Sequence, residues 1–516
     1  MEFAVLFGAC LLISAAVIAV AAALARQLGI VDRPGGHKLH VAVTPFVGGF
    51  GVFAVLVCAM PVARFLSGGV AGGLDVPAIH GILLAAGLVF VTGLADDVWL
   101  IGFKPRLVVH ALAALWMVYV GDVQLRSLGE LFPDVDVDLG VWGLPLTVFA
   151  TIGLINAMNM IDGIDGLAGS VGLVSLALLG LVTGLGGGGP YLVLIVALIG
   201  GLAGFLFFNL RYPGNPRARV FLGDNGSMLI GFLLAWLFIA LSQGEERAVM
   251  TPVTALWLFA VPLLDTVAVM LRRLWMGRSP FRADRHHLHH LFARAGFRVC
   301  DIVAFAAFMQ LVFGFVGIAG LLLGVPESVM FGLFLGVFAA YTLVILRPWR
   351  LVPWLRRVNR RFGWPSVQVR GIFVGYLRKD HCPELVRAIA AGLGNRYDYQ
   401  LSVYELDRSA SDGRNAYCVV HIRAEGDEQL IGRIRRDAQR LKEGIGRRHG
   451  VDVRLYMGRN KENDSRRVYA PIAGGGSRIG DRRGLRASPI YCIERGGCAV
   501  FSDRQGFELS VPPAGR

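Results

Sequence analysis

Four polar clusters interrupt an otherwise apolar sequence, and their residue types suit chemistry on phosphates. Asp96 and Asp97 are adjacent in GLADD, and Asn156, Asn159, Asp162 and Asp165 recur at every third position of NAMNMIDGID. Asp224 follows Gly223 in GDNG, and His286, His287, His289 and His290 follow Arg285 in RHHLHH. Adjacent carboxylates repel one another, a strain that a cation or solvent relieves. Carboxylate and amide oxygens are hard ligands, suited to Mg²⁺ shared with substrate phosphates. On an ideal helix each step of three residues lags the last by about 60°, so the Asn/Asp series fans across roughly half the circumference. Gly163 and Gly166 loosen that segment and let a ligand approach its backbone. Phe221, three residues before Asp224, is either a core residue or a flat platform for a base.

The histidines raise a zinc reading, because His286 and His290 are four apart and would share a helix face. Arg278, Arg282 and Arg285 beside them oppose a second cation and favour an anion, and no HExxH pattern occurs. Asp265 stands alone in an apolar run. An intramembrane carboxylate is a functional candidate by default, and a helix-packing hydrogen bond explains it equally well.

The elements that must position these residues are membrane helices. The chain has 516 residues, of which 55% are hydrophobic and only 17% charged, with a mean hydropathy of +0.58. An ordinary soluble protein carries about a quarter charged residues, so a single soluble core is excluded, as is disorder over most of the chain. A helix needs roughly 20 apolar residues to cross a bilayer core. By that measure the sequence predicts an all-α polytopic protein with about eleven spans, near 3–25, 46–66, 78–95, 106–121, 139–156, 167–184, 190–209, 226–242, 250–271, 302–324 and 328–347. The first is too long, and lacks the basic start and cleavage site, for a removable signal peptide.

Basic residues follow alternate spans: Arg26, Arg33 and Lys38; Lys104 and Arg106; Arg211, Arg217 and Arg219; then Arg272 through Arg298. The positive-inside bias puts the N-terminus outside and the C-terminus in the cytoplasm, as an inner-membrane topology would have them. All four polar clusters then fall on the cytoplasmic face, as one converging site would require. The net charge of +14 resides in these loops and in the remainder beyond residue 346, so it argues for topology rather than for nucleic acid. Seven scattered cysteines form no CxxC pair and imply neither a disulfide scaffold nor a structural zinc site.

Four regions follow: a membrane domain over 1–347, a linker over 348–365, a cytoplasmic α+β domain over 366–460 and a flexible Gly-rich tail over 461–516. The third alternates extended and helical patterns in the order β-α-β-β-α-β, which suits a ferredoxin-like sandwich and equally a generic α+β module.

The set DRPGGHKLHVAVTPFVGG, GLADD, NAMNMIDGIDGLAG, VFLGDNGS and PLLDTVAVMLRRLWMGRSPFRADRHHLHHLFARAGF resembles the polyprenyl-phosphate N-acetylhexosamine-1-phosphate transferases. The similarity is best to the bacterial undecaprenyl-phosphate N-acetylglucosamine-1-phosphate transferases and covers roughly residues 3–347. It implies transfer of a sugar 1-phosphate from a UDP-sugar to undecaprenyl phosphate, with release of UMP and dependence on Mg²⁺ (or Mn²⁺). It further implies that Asp224 ligates the metal with Asn159, and that Asp96 or Asp97 holds or deprotonates the lipid phosphate. Phe221 would stack on uracil with Asn209 near the nucleoside, and Asp162 and Asp165 would hold the nucleotide side. Arg282, Arg285, His286, His287, His289 and His290 would recognise sugar and pyrophosphate. Such an enzyme would start a cell-envelope polysaccharide such as O-antigen, as a homodimer or beside downstream glycosyltransferases. Some relatives place a Lys close to the Thr-Pro pair of the first loop; here the nearest residues are Lys38 and His40.

Other readings stay open: a different UDP-N-acetylsugar, UDP-MurNAc-pentapeptide as donor, or an ion-coupled transporter. The short MGRSPFRADRHHLHH loop favours a small sugar over a peptide-bearing one. A transporter would hold its acids near the bilayer centre, whereas here nearly all of them lie at the cytoplasmic ends of the apolar runs.

Overall fold

The computed structural model describes residues 2–32, 44–66, 76–133, 135–187, 189–213, 215, 217–243, 248–279, 286–295 and 297–361. Beyond these it describes the strands of the C-terminal region and a few isolated residues between them. One compact unit comprises Met1–Arg33, Val43–Ala293 and Val299–Leu355, and the C-terminal strands belong to a second.

The first unit is helical, because a backbone in lipid must satisfy its own polar groups. Helix α1 (Glu2–Leu28) leads to a two-strand ribbon, β1 (Val31–Asp32) with β2 (Thr44–Pro45). Then come α2 (Gly48–Leu66), α3 (Val76–Trp99), α4 (Phe103–Tyr119) and, after a 3₁₀ turn, α5 (Gly143–Ile161). They are followed by α6 (Leu167–Leu185), α7 (Gly189–Asn209), α8 (Gly223–Ser242), α9 (Pro252–Leu258) and α10 (Ala260–Trp275). The short α11 (Leu288–Ala295) precedes α12 (Val299–Leu322), α13 (Glu327–Leu346) and α14 (Pro348–Arg361).

Among the described residues eight helices are long and apolar enough to cross a membrane, or nine if the bent pair α9–α10 is one span. Eleven were expected. The difference lies in α2, whose apolar part Gly48–Ala63 is short, and in α4, which has only 17 residues and begins on Lys104 and Arg106.

Helix α8 is the central post. Every residue in it except Asp224 and Ala240 is buried. It can be buried on all sides because its surface is apolar all round and because its neighbours come close. A Cβ on Gly93 of α3 would lie 2.5 Å from the Asn225 Cα, so only glycine allows α3 and α8 to touch there.

Between α9 and α10 the chain bends by 84°. The bend frees backbone groups, and Gln310 of α12, fully buried, takes them up. Val261 N donates to its Oε1 at 2.9 Å, and its Nε2 donates to the Leu258 oxygen at 2.7 Å. At the start of α14, Leu351 and Val352 pack on Ala268, Val269, Leu291 and Ile345.

The second unit contains one antiparallel sheet. Its strands are β3 (Gly371–Leu377), β4 (Asp398–Glu405), β5 (Ala416–Arg423), β6 (Val453–Tyr456) and β7 (Pro489–Glu494), in the order β6-β3-β5-β4-β7. The helices expected between β3 and β4 and between β5 and β6 lie almost wholly outside the described residues. Strand β7 falls in the stretch read from sequence as a flexible tail; its alternating PIYCIE pattern pairs with β4.

Candidate functional site

The site is organised around the first turn of α8, where unpaired backbone N–H groups and the helix dipole create a positive end. The chain enters this turn through Gly223 at φ +76°, a left-handed conformation that costs glycine little. Asp97, at the end of α3, closes the turn from the side. Its Oδ1 accepts from Asp224 N at 2.9 Å, and its Oδ2 accepts from Asn225 N at 3.1 Å and Asn225 Nδ2 at 2.6 Å. One carboxylate thus caps a helix from a different helix.

Asp224 itself points the other way. Its Oδ1 accepts from Asn159 Nδ2 at 2.6 Å, and Asn159 also donates to Ser227 Oγ at 3.1 Å. Arg106, on the first turn of α4, lies 3.5 Å from Asp224 Oδ2 and forms an ion pair with the buried Asp96. Three helix ends, α3, α5 and α8, and the start of α4 therefore meet at one point. Sequence reading counted Arg106 only as a marker of topology. The signal that could have found it is a pair of cations, Lys104 and Arg106, on the first helical turn after two adjacent acids.

Beside this centre, Asp162 ends α5 and the 162–166 turn leads into α6. Burial, with the charges of Asp97 and then Asp165, pushes the Asp162 carboxyl up to about 8. Asp165 pairs with Arg211 Nε at 2.7 Å. Asn209 is buried and ties two stretches together, accepting from Gly166 N at 2.6 Å and donating to the Val220 oxygen at 2.8 Å. Phe221 is half-buried; its N–H donates to the Pro45 oxygen at 2.9 Å, and its ring lies 6.3 Å from that of Phe46.

The histidines divide. His287 is buried and turns inward, with Nδ1 2.8 Å from Asp265 Oδ2. His289 is also buried, and its ring crowds Gly163 so closely that a Cβ there would lie 2.3 Å from His289 Nε2. Neither ring nitrogen of His289 has a hydrogen-bond partner among the described residues. Burial drives its imidazole down to about 3, with help from His290 and His287 and against the pull of Asp265. His286 and His290 are half-buried, and the His290 ring lies 4.2 Å from that of His289. Arg282, Arg285, Lys38 and His40 lie outside the described residues.

The arrangement brings Asp96, Asp97, Asn159 and Asp224 into direct or one-step contact. It sets the Asp162–Asp165 turn, His289 and His290 beside them. Among the described residues no three His, Cys, Asp or Glu side chains form a ready-made metal cage. Three carboxylates, Asp96, Asp97 and Asp224, meet one guanidinium, that of Arg106, at the positive end of a helix. Such a place can bind a cation together with an anionic ligand.

Comparison with known proteins agrees with this chemistry. Residues 79–242, which contain the acidic clusters, match glycosyl transferase family 4. An undecaprenyl-phosphate alpha-N-acetylglucosaminyl 1-phosphate transferase from Yersinia pestis is 37% identical over 351 residues, covering 68% of this chain and 93% of the relative. The proteins of the same name from Salmonella typhi and Escherichia coli (strain K12) are 38% and 36% identical, over 91% and 89% of their lengths. With similarity of this extent over nearly the whole of those relatives, the chain belongs to the family of undecaprenyl-phosphate alpha-N-acetylglucosaminyl 1-phosphate transferases.

Proposed function

We propose that this protein transfers N-acetylglucosamine 1-phosphate from UDP-GlcNAc to undecaprenyl phosphate. A lipid-phosphate oxygen attacks the sugar-bearing phosphorus of the donor, the bond to the bridging oxygen breaks, and UMP leaves with that oxygen. The observation that carries the reading is the gathering of Asp96, Asp97, Asn159 and Asp224 around one helix tip, in a chain whose relatives bear that name.

The residues fit a divalent cation. Asp224 combines a carboxylate with partial exposure, and Asn159 keeps an amide oxygen beyond its two N–H bonds. Mg²⁺ prefers one or two such ligands plus phosphate and water oxygens, and Mn²⁺ is a chemical substitute. Held there, the ion would neutralise charge on the diphosphate. Arg106 and the α8 N-terminus add positive potential where two anionic reactants must approach. Asp97 is committed to capping α8, so Asp96, freed when Arg106 engages a phosphate, is the better placed acid for the lipid phosphate. Phe221 and Asn209 serve the nucleoside side, and Asp162 and Asp165 the nucleotide. His286, His289 and His290, with Arg282 and Arg285, serve the sugar and pyrophosphate.

In this reading α2 and α4 also cross the bilayer, giving eleven spans with the N-terminus outside and the site at the cytoplasmic face of the inner membrane. A soluble nucleotide sugar can there meet an insoluble isoprenoid. The strand order of the C-terminal sheet, β6-β3-β5-β4, is that of a ferredoxin-like fold with β7 added at its edge. The test is UMP release from a panel of UDP-sugars with undecaprenyl phosphate, with and without Mg²⁺. UMP from UDP-GlcNAc, abolished by chelation, is the expected result. Release from a different UDP-sugar alone, or none from any, would overturn the proposal.

A further inference from the structure

We infer that Asp265 is a positioning residue for the sugar-nucleotide donor, acting through the histidine segment. The inference rests on the transferase reading above and adds a residue to which no role in that reaction has been given.

Asp265 is buried at 1% exposure and gathers three donors from three directions. Its Oδ1 accepts from Leu288 N at 2.9 Å and from the Tyr341 hydroxyl at 2.7 Å, while its Oδ2 meets His287 Nδ1 at 2.8 Å. Each bond fixes something different. Leu288 N is one of the unpaired donors at the start of α11, so Asp265 caps α11 from α10. The His287 bond places the ring proton on Nδ1 and leaves Nε2 to accept, with Arg273 Nη2 3.4 Å away. Tyr341 brings in α13. One carboxylate thus joins α10, α11 and α13.

The next residue along α11 after Leu288 is His289. The rings of His287 and His289 lie nearly parallel, their centroids 5.8 Å apart and their planes at 11°. The His289 ring in turn rests against Gly163, between Asp162 and Asp165. The place of His289 over the nucleotide-side turn is therefore set by a bond made two residues earlier. An amide at 265 could not serve all three donors. Its NH₂ would face either His287, driving that ring's proton to Nε2 toward the Arg273 guanidinium, or the tyrosine and Leu288 donors, and either way one side of the joint weakens.

The experiment uses the full-length protein in detergent, with Asp265→Asn and Tyr341→Phe. Direct binding of labelled UDP-GlcNAc with Mg²⁺ is measured beside UMP release at varied donor and undecaprenyl phosphate. Asp265→Asn is expected to raise donor Kd and KM by about tenfold, the loss of one hydrogen bond to a charged group. The KM for undecaprenyl phosphate should stay at the parent value. Tyr341→Phe should move the same donor constants by a smaller factor. Parent-level donor constants in folded Asp265→Asn would overturn the inference, and so would equal losses for both substrates. If Asp265→Asn does not fold, Tyr341→Phe decides, and an unmoved donor KM in that variant overturns it. A parent protein that releases no UMP from UDP-GlcNAc would instead refute the transferase reading.

Discussion

At the residue scale the site depends on how each acid is held. Asp97 is engaged by three donors of α8, whereas Asp224 meets Asn159 and Arg106 and keeps a partly exposed carboxylate. Asp224→Asn preserves shape but removes the charge. We expect UMP release to fall about 100-fold or more, as when a preorganised charge is removed from a reacting centre, with unchanged elution on size exclusion. His289 gives a pH test. Its folded-state value of about 3 lies below the ordinary imidazole range, so the unfolded chain takes up the proton first. Its contribution is full above about pH 6.5 and is lost as pH falls toward 3, at up to about 1.4 kcal/mol per pH unit. His289→Asn should therefore flatten the decline in Tm between pH 7 and pH 5; an unaltered slope would contradict the neutral, buried imidazole. Asp97, Asn159 and Asp224 could be picked out from the sequence because hard oxygen ligands are rare in apolar runs. Arg106 could not, since a loop arginine already has a topological explanation. Nor does adjacency tell which of four imidazoles turns inward; that depends on Asp265, over twenty residues away in the chain.

Elements explain why the acids meet. Helix α8 needs Gly93 for its contact with α3, and that contact sets Asp97 against the α8 tip. Gly93→Val forces the two helices apart, at a cost of about 1–3 kcal/mol. Lower Tm and weaker UMP release together are the expected result in a purified variant. Gln310 offers a second test, because it satisfies the broken backbone between α9 and α10. Gln310→Leu strands those buried groups at about 1–3 kcal/mol each, and thermal unfolding in detergent should register the loss. The helices themselves were legible as apolar runs. The 84° bend was not read, although Pro262 in LWLFAVPLL marks a break, because the run is otherwise uniformly apolar and the partner that makes the bend tolerable comes from another helix. The two short helices, α2 and α4, fall below the length of a full apolar span, and hydropathy along the sequence places their ends less sharply than the structure does.

For the whole molecule, similarity to the relatives covers about two thirds of the chain, and the family match at residues 79–242 holds the acids gathered at the α8 tip. A version ending at Arg361 should keep UMP release close to that of the full chain in matched detergent; its loss would assign the C-terminal sheet a part in catalysis. Alternation in the C-terminal sequence predicted four of the five strands; their pairing, such as β3 with β5, joins segments distant in the chain and followed only from the ferredoxin-like pattern of the elements. It also left β7 unseen, within a stretch dominated by glycine and arginine.

The same architecture keeps the helix that carries the reaction centre at its tip away from the surrounding bilayer. The window of α8 is 94% buried, whereas those of α1 and α13 are only 17% buried. A thinner or thicker bilayer is accommodated by tilting or bending whatever it touches, and here it touches the perimeter. Reconstitution in membranes of different acyl length should thus reorient α1 and α13 while leaving turnover per molecule nearly level.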